Sequence, residues 1–159
     1  MAAWLLADES ADYSEVVRPY LTSDDIASST LQSPSRWIMD FDQMSREPAN
    51  RYPFALTIVR SSVKPERDKS DDKGFRTKWW LFGRPRVPLR AALAPLNTSF
   101  AVGRHAKRML IAKVESRTIA SDATNIFAFD DDYSVGIRMS RAHDAWAWAQ
   151  SSTLETRLR

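Results

Sequence analysis

Ser99-Phe100-Ala101-Val102-Gly103-Arg104-His105-Ala106-Lys107-Arg108-Met109-Leu110-Ile111-Ala112-Lys113-Val114 is the stretch that decides the fold. Residues 99–102 and 109–114 are short apolar runs on either side of a tight basic connection. Apolar runs of this length, bounded by turn chemistry, read as strands rather than helices. Downstream, residues 125–129 give a third strand, ended by Asp130-Asp131-Asp132, a loop suited to capping the helix that follows. From Ser134 to Gln150 the residues Val135, Met139, Ala142, Trp146 and Ala149 recur at helical steps, which predicts one helix with one apolar stripe.

Upstream of residue 99 the pattern changes. Residues 13–21 read as a short extended piece stopped at Pro19. Thr22-Ser23-Asp24-Asp25 offers N-caps for a short helix through Ile26. Residues 36–41 alternate as a strand, with Trp37, Met39 and Phe41 facing the core. Residues 43–50 predict a helical turn. Residues 52–63 predict a helix whose face carries Phe54, Ile58 and Ser62. Residues 65–74 are dense in charge and turn formers and predict a mobile loop. Helices follow over 75–82 and 89–93, the second opened by Pro88 and ended by Pro95. Strands and helices in separate blocks argue α+β: a single domain over 1–159 with N-terminal helices and short strands, a small antiparallel sheet and a C-terminal helix.

Charge is unevenly spread. Residues 60–90 hold ten Lys or Arg against four acids, a net of +6, while the whole chain is +3. Residues 1–59 sum to −5 and 91–159 to +2. A local positive field is what a polyanion meets. Its cations alternate with Trp79, Trp80 and Phe82, rings over which long basic side chains can lie. The same pattern also fits a solvated basic face over a Trp-rich core.

Several chemistries are disfavoured. The chain has no cysteine, which removes disulfides and thiolate sites and fits an intracellular protein. Its first residues lack the basic start of a signal peptide, and no apolar run reaches spanning length. The four glycines are too scattered for a phosphate-cradling or dinucleotide loop, so no cofactor site is expected in these residues. His105 and His143 lack the spacing of a zinc site. One catalytic alternative is a metal-dependent nuclease, with Asp40 or Asp42 followed by Asp71-Asp72-Lys73. Another class is a protein-interaction module that docks through its Trp-rich surface. For base reading, the candidates are Arg104, His105, Lys107 and Arg108 in the strand connection and Arg138 and Arg141 on the last helix.

Segments 17–21 (Val-Arg-Pro-Tyr-Leu), 32–41 (Gln-Ser-Pro-Ser-Arg-Trp-Ile-Met-Asp-Phe), 63–69 (Val-Lys-Pro-Glu-Arg-Asp-Lys) and 78–82 (Lys-Trp-Trp-Leu-Phe) stand in an order that closely resembles one family. Segments 127–130, 133–136 and 140–147 look like it too. It is the target-recognition region of MmeI-like (type IIL) restriction–modification enzymes and related adenine-specific DNA methyltransferases. The resemblance implies a DNA target-recognition domain, part of a larger chain, with double-stranded DNA as partner. It places a methyltransferase domain in cis or in trans, S-adenosylmethionine in that domain, and the whole in the bacterial cytoplasm. The family's Asn-Pro-Pro-Tyr catalytic motif and its glycine-containing cofactor motif are absent here, so no catalytic residue is implied. A common family form has Ser-Lys-His where Ala106-Lys107-Arg108 stands, so Lys107 alone carries over. On this reading Lys64, Arg67, Lys69, Lys78, Arg84 and Arg86 hold phosphates, and the six base-reading candidates approach base edges.

Overall fold

The computed structural model describes residues 12–105 and 109–150, and the backbone at 153–154 and 157–158. After a 3-10 turn (Tyr13–Glu15) come β1 (Val17–Leu21), α1 (Ser23–Ser28), β2 (Arg36–Met39), α2 (Arg46–Ala49), α3 (Pro53–Ser62), α4 (Lys64–Asp68), α5 (Lys73–Thr77) and α6 (Val87–Leu93). Then follow β3 (Thr98–Gly103), β4 (Ile111–Glu115), β5 (Ile119–Ala120), β6 (Thr124–Phe127), α7 (Asp132–Arg138), α8 (Arg141–Gln150) and the short pair β7 (Thr153–Leu154) and β8 (Arg157–Leu158). The class is α+β, as the separate blocks of strand and helix pattern imply. Among the described residues no helix is long and apolar enough to cross a membrane. Contacts divide the chain into two compact units, Met1–Arg18 with Trp37–Arg86, and Pro19–Arg36 with Val87–Arg159.

The first unit is mostly helical. Its core gathers Tyr13, Val16, Val17, Phe41, Ala49, Tyr52, Ala55, Leu56, Val59 and Trp79. Pro53 opens α3, where a missing N–H costs nothing. The buried face of α3 is Ala55, Leu56 and Val59, and Phe54, expected inside, is 49% exposed. Tyr52 explains the rotation. Its ring meets Tyr13 at 5.7 Å and Phe41 at 6.4 Å, and its O–H donates to Glu15, so the face following Tyr52 turns inward. Trp37 is likewise exposed while Phe41 is fully buried. Alternation holds only within a strand, and β2 ends at Met39; the Asp40 N–H then donates to the Val16 carbonyl at 2.8 Å.

The expected loop over 65–74 shrinks to the connection 69–72, since 65–68 lie in α4 and 73–74 open α5. Pro65 sits in the first turn of α4, where it is tolerated. Lys64–Asp68 and Lys69–Glu66 ion pairs bridge successive turns. The Asp72 carboxylate accepts from the Gly74 N–H at 2.6 Å and the Phe75 N–H at 3.3 Å, capping α5. α5 stops at Thr77 instead of reaching Phe82. Adjacent Trp79 and Trp80 cannot share one helix face. Trp79 enters the core, and the Trp80 indole N–H donates to the Met44 carbonyl at 3.0 Å. Gly83 is needed for close approach, since a Cβ there would sit 2.5 Å from the Phe75 ring.

The second unit is organised by an antiparallel sheet in the order β4-β3-β6. Phe100 stands opposite Lys113 and Phe127, and Ala101 opposite Ala112 and Ile126. Residues directly opposite share a face, so these are two rows on opposite faces. The alanine row packs with Leu21, Ile26 and Val114. Small side chains there let α1 approach β3 closely, and any larger residue at fully buried Ala101 would overfill the space. The Thr22 side chain accepts from the Asp25 N–H while Asp25 accepts from the Thr22 N–H, a reciprocal cap on α1. Burial works against the Asp25 charge, but hydrogen bonds with Ser35 and Thr22 and the field of Arg36 outweigh it and hold the carboxyl below its ordinary range. β1 runs through Pro19, and its end pairs in parallel with β5.

The helix expected over 134–150 is two helices. The Ser140 Oγ accepts from the His143 N–H at 3.2 Å and the Ser140 carbonyl from the Asp144 N–H at 3.0 Å, so a new helix is capped there. The break dissolves the expected stripe: Met139 is 62% and Trp146 61% exposed, and Ala147 is buried instead.

Candidate nucleic-acid interface

The phenylalanine row of the sheet carries the best-defined basic group. Phe100 is buried, and Phe129 lies 5.5 Å from it and 5.8 Å from Phe127. α7 is fixed against this face at both ends. At its start Asp132 pairs with Lys113 at 3.3 Å, and Lys113 itself lies 5.6 Å from the Phe100 ring centre. At its end the Arg138 guanidinium carbon stands 4.4 Å from the Phe127 ring centre and 5.7 Å from that of Phe129. Just before Asp132, Asp131 caps the helix, accepting from the Ser134 N–H at 2.7 Å, and hydrogen bonding by Ser134 lowers its pKa. The aspartates that close β6 therefore serve as the helix cap and the Lys113 partner.

The remaining base-reading candidates fall in two places. Arg104 is exposed, and its backbone N–H is anchored on the Ala123 carbonyl at 2.8 Å. His105 is half-buried, with Nδ1 covered and taking no hydrogen bond among the described residues. Lys107 and Arg108 lie outside the described residues. Arg141 is exposed at the first position of α8. The backbone at Arg104 lies about 13 Å along β3 from Phe100, four residues at ~3.3 Å each.

The phosphate candidates all lie in the first unit and differ in freedom. Lys64 and Lys69 are in ion pairs with Asp68 and Glu66 on α4, contacts that are weak at a surface and exchange readily. Arg67 is committed. It stacks 4.4 Å from the Phe75 ring centre and donates to the Leu81 carbonyl at 3.3 Å. Lys78, Arg84 and Arg86 are exposed, and Arg86 has the left-handed φ of 51°. Among the described residues these three form no ion pair.

The carboxylates of the nuclease alternative divide. Asp40 is buried beside Arg18 at 3.7 Å. Asp42 and Asp72 line one cavity of about 360 Å³ with Lys78, Phe75 and Phe82, but Asp72 is occupied as the α5 cap. No group of three potential metal ligands forms among the described residues.

No family model and no curated protein matches this chain. A solved structure does. The type IIL restriction–modification enzyme MmeI, solved in complex with DNA, matches with a TM-score of 0.64 and 19% identity. The fold is that of one part of MmeI. The match covers 98% of this chain and 20% of that one, so this chain spans about a fifth of its length. Structure and sequence resemblance thus meet at the level of the fold.

The supports of Arg138 escaped the sequence reading. The signal was present: Phe127 and Phe129 are two residues apart, the spacing that keeps side chains on one face of an extended segment.

Proposed function

We propose that this chain is the double-stranded DNA recognition domain of an adenine-specific restriction–modification methyltransferase, and that it positions the target site for a separate catalytic domain. The observation that carries this is the shared fold over nearly the whole chain with part of an enzyme solved on DNA. The local charge of residues 60–90 and the ordered sequence blocks agree with it. Lys78, Arg84 and Arg86 hold phosphates at once, and Lys64 and Lys69 do so by exchanging carboxylate for phosphate. Arg67 contributes by fixing the segment's shape. Arg104, His105, Arg138 and Arg141, with Lys107 and Arg108, face base edges; the span from Arg104 to the phenylalanine row is about four base steps at ~3.4 Å. S-adenosylmethionine belongs to the methyltransferase domain, in cis or in trans, and the setting is the bacterial cytoplasm.

The test is duplex affinity across a salt series. Each phosphate contact contributes roughly −0.9 to the slope of log K against log [salt]. The triple variant Lys78→Ala/Arg84→Ala/Arg86→Ala is expected to flatten the slope by about 2 to 3. An unchanged slope removes these residues from the phosphate set, and no salt-sensitive affinity at all favours the protein-interaction reading. A second reading, metal-dependent cleavage, draws on the shared cavity of Asp42, Asp72 and Lys78. Plasmid incubated with the chain and Mg²⁺ is expected to stay intact.

A further inference from the structure

We propose that Arg138 reads a guanine, its guanidinium held by Phe127 and Phe129 so that its N–H fork meets the O6 and N7 of one base. This rests on the DNA-recognition reading above and assigns the base class to one residue of that site. The two rings hold the group from one side, 4.4 Å and 5.7 Å from its central carbon, through a ladder that ends in buried Phe100. A stacked guanidinium loses little freedom on binding, and its donors all lie in its own plane. What those donors meet decides their use. Among the described residues no carboxylate or carbonyl takes them. The acids at the opposite end of α7 are engaged with other partners, Asp131 on the Ser134 N–H and Asp132 on Lys113. Arg67 makes the contrast, because it also stacks on a phenyl ring but spends an N–H on the Leu81 carbonyl. A planar, oriented and unspent fork fits a rigid pair of acceptors. Guanine offers such a pair in the major groove, and a phosphate offers one on the backbone.

The experiment separates these two. The 159-residue chain, Arg138→Lys and Phe129→Leu are each carried through enrichment from a randomised duplex pool. Each is then titrated against the enriched duplex and its single-base replacements. For the wild type, replacing one guanine is expected to weaken binding by roughly 5- to 150-fold. Arg138→Lys keeps the charge and loses that preference alone, with the other positions and the salt slope retained. Phe129→Leu, at an unchanged melting temperature, reduces the same preference; if it does not fold, Arg138→Lys decides. Weakening of all duplexes alike by Arg138→Lys means a phosphate contact and overturns the assignment. Variants indistinguishable from wild type overturn it while leaving DNA recognition standing. A wild type that enriches no sequence overturns both.

Discussion

In the unit made of Met1–Arg18 and Trp37–Arg86, one ring-stacked arginine has a backbone carbonyl as its partner. Arg67 lies 4.4 Å from the Phe75 ring centre and donates to the Leu81 carbonyl at 3.3 Å. In the unit made of Pro19–Arg36 and Val87–Arg159, Arg138 stacks on two phenyl rings and its donors stay unspent among the described residues. The same contact therefore serves shape in one place and presentation in the other. Stacking alone does not mark a functional arginine. The destination of the N–H groups is what separates Arg67 from Arg138.

This contrast can be broken or sharpened, beginning with the largest effect. Phe41→Ala, at a fully buried ring of the first core, is expected to cost about 3–5 kcal/mol by denaturant titration. Ala101→Leu, in the alanine row of the second unit, is expected to cost about 1–3 kcal/mol through overpacking, by the same titration. Arg67→Ala strands the Leu81 carbonyl and is expected to lose about 1–3 kcal/mol. Arg138→Ala, at a half-buried side chain whose removal strands no carbonyl among the described residues, is expected to lose no more than about 1 kcal/mol. Equal losses for the two arginines would erase the distinction drawn here.

The pH response separates the units as well. Burial, then the bond to Glu15, pushes the Tyr52 phenol up to about 12. The folded state therefore holds this proton more tightly than the unfolded chain. Its contribution is intact below pH 10 and is lost as pH rises towards about 12. Tyr52→Phe should remove that alkaline loss from a pH series of melts. Asp25 runs the other way. Its folded pKa is lowered, so its contribution is present above the ordinary value of 3.8 and disappears as pH falls through the lowered one. Thr22→Ala is expected to diminish this acid dependence.

Where the sequence was legible, local rules had no competitor. The strands expected at 99–102, 109–114 and 125–129 are found as β3, β4 and a β6 that ends at Phe127, and with the Thr22 cap and the helix opened by Pro53 they follow from patterns within a few residues. It misled where tertiary partners chose. Tyr52 turned the inner face of α3, Trp79 and Trp80 ended α5 early by each taking its own partner, and Ser140 capped a new helix inside a periodic run. Of the site, the cationic residues were visible as candidates. The sorting of Arg67 from Arg138 was not, because it depends on a carbonyl 14 residues away in one case and on a cross-strand aromatic row in the other.

The most direct measurement is amide hydrogen exchange of the whole chain with and without duplex DNA. Recognition by both units predicts slowed exchange over residues 64–86 and again from β6 through the start of α8, with α3 unchanged. Exchange that DNA leaves untouched in both segments would contradict the account.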